Sequence, residues 1–199
     1  MEQVRQRGER GHVPASAQDG DARPHDFGPR DFRNALGRFA TGITVVTMRA
    51  PAEAEDGRTE GTAEGEEQTF GITVNAFMSV SLDPPLVAVS VDKRARAHGS
   101  LLASERFGIS VLAESQEKLS DVFAGRPVEP PEEPFDELAE FPVLKGALSQ
   151  LVLSTHQTHD AGDHTIFVGK VEALRYHEGE PLLFFKGRYE TLPTRQPVT

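Results

Sequence analysis

The apolar positions of this chain fall mainly in short, β-branched runs rather than in long helical stripes. The first run, residues 43–48, reads Ile-Thr-Val-Val-Thr-Met and is typical of a buried strand. Further runs predict strands over residues 69–74, 77–80, 86–91, 107–112, 148–155, 165–176 and 182–185. Many short strands without alternating helices indicate a mainly β fold with a few short helices, arranged as an antiparallel barrel.

Three segments have the pattern of a helix. Residues 29–42 carry apolar side chains at positions i, i+3, i+4 and i+7, namely Phe32, Ala35, Leu36 and Phe39. Gly42 is expected to end this helix. A short second helix is predicted over residues 97–104. A third is predicted over residues 116–124, with Ser115 as its N-cap.

The composition along the chain indicates one domain, residues 27–192, between two tails. The first tail, residues 1–26, is rich in Arg, Gly, Asp and Pro and is expected to be disordered. The second tail, residues 193–199, follows the last predicted strand. Residues 50–68 are acidic and are expected to form a flexible loop. Residues 125–136 are rich in Pro and Glu and predict another loop.

The chain carries a net charge of −10, from 31 acidic and 21 basic residues. Nucleic acid and anionic membrane both bind basic surfaces, so this charge argues against either as the main partner. The absence of cysteine excludes disulfides, thiolate catalysis and cysteine-ligated metals. The sequence has no apolar run of membrane-spanning length and no secretory signal at its polar N-terminus, so a cytoplasmic location is expected.

Three segments carry the candidate chemistry. They are residues 39–47 (FATGITVVT), 71–86 (GITVNAFMSVSLDPPL) and 160–169 (DAGDHTIFVG). Together, in this order and spacing, they resemble the flavin reductase family, which supplies reduced flavin to two-component monooxygenases. The resemblance runs from about Phe27 to Leu192. It implies the FMN-binding split β-barrel, an antiparallel and Greek-key-like fold.

The second segment is rich in small and polar residues that suit a flavin. A flavin presents a flat ring, a polyol and a phosphate, so it needs short hydrogen-bond donors and close backbone approach. Residues 71–79 provide two hydroxyls, one amide and several small side chains. Without the resemblance, the same stretch is equally well a polar turn between strands. The resemblance implies cofactor contacts at Thr41, Thr73, Val74, Asn75, Ala76, Ser79, Ser90, Val91, Asp92, Lys93, Arg96 and Ala97.

The family is expected to bind the flavin phosphate near the segment that follows Val91, where its members typically carry Ser and Thr. Here residues 92–98 read Asp-Lys-Arg-Ala-Arg-Ala-His, so the hydroxyls are absent and three bases are present. Arg96 or Lys93 can hold the phosphate by charge, and an arginine is preferred for a bidentate contact. A solvated basic loop ahead of a helix is the alternative interpretation.

Gly162, Asp163 and His164 match the nicotinamide-side motif of the family. The resemblance implies that His164 is the catalytic residue, beside the open face of the flavin and in contact with the nicotinamide dinucleotide. Without the resemblance, these residues form a turn before a strand. A metal site is another alternative, because three His and two Asp lie within residues 156–164. The first two histidines are three positions apart, however, and in a strand such positions point to opposite faces.

The resulting hypothesis is an NAD(P)H:flavin oxidoreductase that reduces FMN or FAD by hydride transfer from NADH or NADPH. The reduced flavin would supply a separate monooxygenase. Because the cofactors carry this chemistry, the protein needs no nucleophile or strong base. Two alternatives keep the flavin: a tightly bound group that serves another acceptor, and a non-catalytic flavin-binding module or electron carrier. The resemblance also implies a homodimer with the flavin near the subunit boundary.

Overall fold

The computed structural model of the protein describes residues 27–51 and 67–192. Both predicted tails and residues 52–66 of the predicted acidic loop lie outside these ranges. The chain divides into two compact units, Met1–Phe39 and Ala40–Thr199. Among the described helices, none combines the length and the apolar character that a membrane crossing requires.

The first unit contains helix α1, Pro29–Leu36. The backbone N–H of its N-cap, Gly28, donates a hydrogen bond to Asp31 Oδ2 at 3.3 Å. The helix ends earlier than the apolar spacing predicts, since Gly37 is its C-cap and Gly42 belongs to a strand. Glycine is a poor helix residue, and Gly37, which lies within the apolar stripe before Phe39, ends the helix.

The second unit consists mainly of strands, in agreement with the predicted mainly β fold. The strands are β1 (Thr41–Gly42), β2 (Thr44–Pro51), β3 (Glu67–Val74), β4 (Phe77–Leu82), β5 (Pro85–Asp92), β6 (Arg106–Val111), β7 (Phe135–Leu138), β8 (Phe141–Leu144), β9 (Ser149–Ala161), β10 (His164–Tyr176), β11 (Leu183–Phe185) and β12 (Arg188–Glu190). Two short helices complete it: α2, Ala97–Ala103, and α3, Glu117–Phe123. Strand residues 50–51 and 67–68 correct the predicted limits of the acidic loop.

All strand pairs in the described residues are antiparallel. Seven strands form one sheet in the order β3-β2-β6-β9-β10-β5-β4. A three-stranded sheet has the order β1-β11-β12, and β7 and β8 form a separate hairpin. The pairing of β5 with β10 therefore joins an early hairpin, β4–β5, to a late one, β9–β10.

Strand β2 is buried on both faces, as its β-branched run predicts. Val45 belongs to a cluster with Leu112 and Leu182, whereas Met48 packs in a second cluster with Phe107. Consecutive side chains of a strand point to opposite faces, so β2 contributes to both clusters. The strand thus lies at the centre of the hydrophobic core.

The β7–β8 hairpin lies mostly between the predicted Pro- and Glu-rich loop and the next predicted strand, and β7 begins at Phe135, within the predicted loop. Its turn residues, Ala139 and Glu140, have φ of 48° and 61°. Turns of this kind usually carry Asn or Gly, so the hairpin has no recognisable turn signal. Arg49 and Arg106 support the turn by donating hydrogen bonds to the Glu140 and Ala139 carbonyls, at 2.9 and 3.3 Å.

The predicted N-cap of the third helix is also wrong. Ser115 lies within a short 3₁₀ turn, Glu114–Gln116, that precedes α3. Gln116 supports this turn instead: its Oε1 accepts from the Ala113 backbone N–H at 3.0 Å, and its Nε2 donates to the Lys145 carbonyl at 2.7 Å. A buried amide with two partners therefore replaces the expected serine cap.

Candidate functional site

The C-terminal end of β5 lies between the two turns that carry the sequence motifs. On one side, the Ser90 backbone N–H donates to the Ala76 carbonyl in the β3–β4 turn at 3.0 Å. On the other side, Asp92 is paired with His164 at the start of β10. The second and third sequence segments therefore meet here. We call this region the site end: residues 75–76, 90–96 and 162–164.

Lys93 fastens the β9–β10 turn to the end of β5. Its backbone N–H donates to the Asp163 carbonyl at 2.9 Å, and its Nζ donates to the Gly162 carbonyl at 2.8 Å. The same ammonium forms an ion pair with Asp160 at 2.9 Å. Gly162 has φ of +67°, which the turn requires and glycine adopts without strain. Lys93 thus positions the turn, and its charge is already partly neutralised.

His164 is oriented by its neighbour in the turn. Its Nδ1 lies 2.8 Å from Asp163 Oδ1, and this hydrogen bond lowers the pKa of the Asp163 carboxyl. An ionised carboxylate accepts from Nδ1–H and leaves Nε2 for another group. Nε2 has no hydrogen-bond partner within the described ranges, and the ring is half-exposed. The imidazole is therefore fixed on one edge and available on the other.

The three bases after β5 have different surroundings. Arg94 donates to Asp92 from its side chain and its backbone N–H, and these hydrogen bonds hold the pKa of the Asp92 carboxyl far below its usual value. Lys93 contacts the β9–β10 turn. Arg96 is exposed and makes no hydrogen bond or ion pair with any residue in the described part of the chain. Its guanidinium donors are the ones left for an anion.

Several predicted contact residues have their side chains in the core. Val74, Val91 and Ala97 are 6%, 2% and 6% exposed, so only their main-chain groups can reach a cofactor. Asn75 and Ser79 are exposed and have no side-chain hydrogen bond within residues 27–51 and 67–192. The hydrogen-bonding groups offered to a ligand on this side are therefore these two side chains and the adjacent backbone.

The first part of the second segment faces α3 rather than open space. Thr73 Oγ1 donates to the Ser120 carbonyl at 2.7 Å. A Cβ added at Gly71 would lie 2.5 Å from the Phe123 ring. Gly71 is one of the small residues that the sequence analysis assigned to a flavin, but here its small size allows α3 to pack against β3. Alternate strand residues share a face, so Gly71 and Thr73 face α3 together.

Thr41 has an unsatisfied hydroxyl. Its Oγ1 is buried and has no hydrogen-bond partner among the described residues. The nearby hydroxyls of Thr44 and Thr47 donate to the Val74 and Pro142 carbonyls, at 2.7 and 2.6 Å. A buried polar atom without a partner is uncommon in native structures and is accounted for by a ligand or water. Thr41 belongs to β1, where it pairs with Phe184 of β11 in the three-stranded sheet, and it is not among the residues of the site end.

The metal-site alternative is not supported by the arrangement of its residues. Among the described residues, no three His, Asp or Glu side chains are grouped as metal ligands require. Asp160 and Asp163 contact Lys93 and His164 instead. Asp160 was considered from the sequence only as a metal ligand. The ion pair between Asp160 and Lys93 joins distant parts of the chain, so no local sequence pattern predicts it.

Comparison with known proteins identifies the family. The Flavin reductase like domain matches residues 36–193. An NADH-dependent flavin reductase from Rhodococcus sp is 44% identical over 82% of this chain and 86% of its own. The reductase component of 4-hydroxyphenylacetate 3-monooxygenase from Thermus thermophilus is 41% identical over 81% of this chain and 95% of its own.

A solved structure gives the same result for the fold. The styrene monooxygenase flavin reductase from Pseudomonas putida superposes with a TM-score of 0.70 and 36% identity, over 83% of this chain and 99% of that one. The split β-barrel expected from the resemblance is confirmed. The chain belongs to the flavin reductase like domain family.

Proposed function

We propose that this chain is an NADH-dependent flavin reductase, which reduces FMN or FAD and supplies the reduced flavin to a separate monooxygenase. Relatives named as NADH-dependent flavin reductases and as monooxygenase reductase components support this function. They also favour a reductase over a non-catalytic flavin-binding module. The structural observation that carries the proposal is the meeting of the β3–β4 turn, the end of β5 and the Gly162–His164 turn at the site end.

Polar groups of the first two sequence segments, together with Arg96, suit a flavin. Thr41 Oγ1 is buried without a partner, and Asn75 and Ser79 are exposed with unused hydrogen-bonding groups within the described ranges. Arg96 offers a guanidinium with no partner in the same ranges, which suits a phosphate. We propose that the flavin ring lies along the β3–β4 turn and that its phosphate contacts Arg96. Bound flavin and NADH then supply the acceptor and the donor of the hydride.

The protein's own contribution is orientation and hydrogen bonding. Lys93 holds the β9–β10 turn against β5, and Asp163 holds the imidazole of His164, so Nε2 has a defined direction before a ligand arrives. A group fixed in advance loses little entropy when it binds. We propose that His164 contacts the nicotinamide dinucleotide and aligns it against the open face of the flavin, within reach for hydride transfer. The requirement for NADH also supports a cytoplasmic location.

Oxidation of NADH by the purified protein tests this function. We expect absorbance at 340 nm to fall rapidly when FMN or FAD is present and to be stable without added flavin, because the flavin is a substrate. Replacing NADH by NADPH measures the preference between the two donors. A protein that binds flavin and oxidises neither donor would contradict the proposal. A protein that is purified yellow and passes electrons only to another acceptor would favour the bound-flavin alternative.

We also propose that the chain forms a homodimer. Strand β4 is an edge of the seven-stranded sheet in the described residues, and its side chains Met78, Val80 and Leu82 are 55%, 46% and 92% exposed. An apolar edge strand of this kind is usually covered by a partner. A second copy that packs there would form a two-fold contact. Light scattering that reports 21.7 kDa at micromolar concentration, the mass of one chain, would rule the dimer out.

A further inference from the structure

Helix α2 lies between a cavity and the hydrophobic core. On one side, Arg96 lines a cavity of about 610 Å³, together with Arg49 and Arg106. On the other side, Ala97 and Leu101 are buried and pack in the core. Arg96 is the N-cap residue of this helix. The place of its guanidinium therefore depends on how the first turn of α2 is held against the sheet.

His98, the second residue of α2, connects this first turn to β10. Its Nε2 lies 2.9 Å from Thr165 Oγ1, and its ring meets the edge of the Phe167 ring with the centroids 5.7 Å apart. Thr165 is 5% exposed and directly follows His164. Among the described residues, the contact with Thr165 is the only side-chain hydrogen bond between α2 and β10. His98 thus links the helix that begins after Arg96 to the neighbour of His164.

The other end of α2 is held by a different strand. Thr155 of β9 donates from its hydroxyl to the Ser104 carbonyl at 2.8 Å and from its backbone N–H to the Glu105 carbonyl at 2.8 Å. Ser104 is the C-cap of α2, about 9 Å along the helix from His98. The helix is therefore attached at both ends, and the contact of His98 fixes the end that carries Arg96.

We infer that His98 is a positioning residue, which sets the place of Arg96 relative to His164 through its contact with Thr165. The inference rests on the proposed function, in which the flavin phosphate contacts Arg96 and the nicotinamide dinucleotide contacts His164. Each of these two groups keeps its own support without His98, since Asp163 orients His164 and Arg96 stays at the start of α2. His98 adds their relative position, which decides how the two rings are aligned for hydride transfer.

This role affects the rate of reduction rather than the affinity for either ligand, because His98 itself contacts neither of them. A misalignment of about 1 Å between reacting groups can cost on the order of a hundredfold in rate. The phosphate at Arg96 is the group that transmits the position of α2 to the flavin ring. Riboflavin has no phosphate, so the rate of its reduction does not depend on His98.

The test separates the hydrogen bond of His98 from the packing of its ring. His98→Phe keeps an aromatic contact with Phe167 and removes the hydrogen bond. Thr165→Val removes the same bond from the other side and keeps the shape of the side chain, so the test does not depend on one variant. His98→Gln is the conservative variant, because its amide lies as many bonds from Cα as the histidine Nε2 does. Thr155→Val is the matched control, since it removes a hydroxyl contact at the far end of α2.

Stopped-flow reduction at saturating NADH gives the rate constants with FMN and with riboflavin, and fluorescence titration gives the flavin affinities. We expect His98→Phe and Thr165→Val to slow FMN reduction about tenfold, while the affinity for FMN and the KM for NADH stay within about twofold of the wild type. The rate with riboflavin should be unchanged. His98→Gln should recover most of the rate with FMN. Thr155→Val should retain the wild-type rates even if its melting temperature is lower.

Two results would overturn the inference. One is a lower melting temperature of His98→Phe and Thr165→Val with a wild-type rate of FMN reduction, which would make the contact purely structural. The other is an equal loss of rate with FMN and riboflavin, which would show that the position of Arg96 is not involved. Wild-type activity decides the proposed function separately. An inactive wild type contradicts that function, whereas an active wild type with unaffected variants contradicts the role of His98 alone.

Discussion

The site end and the region under the β7–β8 hairpin both contain many polar side chains, but these side chains are used differently. Under the hairpin, Ser110 and Gln150 are almost fully buried and hydrogen-bonded: the Ser110 hydroxyl accepts from the Leu144 N–H, and Gln150 Nε2 donates to the Leu144 carbonyl. At the site end, Asn75 and Arg96 are exposed and have no side-chain partner in the described residues. Satisfied buried groups stabilise the fold, whereas unused donors at a cleft are available to a ligand.

The largest expected effect is on stability, at the hairpin. Gln150 Nε2 contacts the Leu144 carbonyl at 2.6 Å, and its Oε1 accepts from Arg175 Nε at 2.6 Å. Gln150→Ala leaves both partners unsatisfied and should lower the free energy of unfolding by about 3 kcal/mol. Asn75→Ala and Ser79→Ala should change it by less than about 0.5 kcal/mol. Urea unfolding measures all three, and similar losses in the two regions would contradict the contrast.

Arg96→Ala tests the use of the unpaired guanidinium at the site end. We expect the affinity for FMN to fall by roughly 1.5 to 3 kcal/mol, because a charge-assisted contact to the phosphate is lost. Riboflavin, which has no phosphate, should bind almost as before. Fluorescence titration with both flavins is the measurement. If both weaken equally, Arg96 acts through the local structure and does not contact the phosphate.

His164→Ala should reduce kcat/KM for NADH by about tenfold to a hundredfold, the loss of one orienting contact of about 1 to 3 kcal/mol. Flavin affinity should change little, since we propose that other residues hold the flavin. Stopped-flow reduction and flavin titration measure the two effects, and His177→Ala, an exposed histidine outside the site end, is the control. Unchanged NADH kinetics would remove His164 from the site. A lower melting temperature with normal kinetics would assign it a structural role.

Lys93→Met should have a smaller effect, because the lysine acts through the turn that it holds. The change keeps most of the side chain and removes the contacts of Nζ with Gly162 and Asp160. We expect the KM for NADH to rise about threefold to tenfold, with a smaller change in FMN affinity, as lost positioning implies. Lys118→Met, on the exposed side of α3, should leave both unchanged. A selective loss of FMN rather than riboflavin would instead make Lys93 a phosphate ligand.

The smallest expected effect is a pH dependence at the hairpin. The backbone N–H of Glu137 and the guanidinium of Arg175 both donate to Asp136, and they lower the pKa of its carboxyl below 3.8. A lowered pKa adds stability above the ordinary value and loses it as the pH falls through the folded value. The stability difference between wild type and Asp136→Asn should therefore shrink as the pH falls from about 5 to about 2. A constant difference would show that the carboxyl charge contributes nothing.

Local patterns predict most of the strands, but they do not predict which element each face of a strand packs against. The run at 43–48 identifies β2 because continuous β-branched residues are typical of a strand buried on both faces. The face of Gly71 and Thr73, in contrast, depends on where α3 packs, which is a contact between distant segments. The sequence does not predict the β7–β8 hairpin for a related reason. Its Ala139–Glu140 turn is supported by distant arginines rather than by residues typical of a turn.

The candidate site shows the same limit. The Gly162–His164 turn and the basic residues after β5 are visible in the sequence as separate motifs. Their division into a positioning lysine and an unpaired arginine depends on the β5–β10 pairing, which no local spacing encodes. No local sequence pattern predicts the cavity beside α2, because Arg49, Arg96 and Arg106 come from three separate parts of the chain.

The contact between Lys93 and the β9–β10 turn also has a consequence for biosynthesis. Lys93 and Gly162 are 69 residues apart along the chain, and β10 joins β5 only across that separation. Pairings of this kind form late and slowly, because a long loop must close before any contact is gained. A nascent or half-folded chain thus contains both segments of the site, but they are not yet paired. Such a chain cannot consume NADH or release reduced flavin. The long-range pairing ties the redox activity of the chain to the completion of its fold.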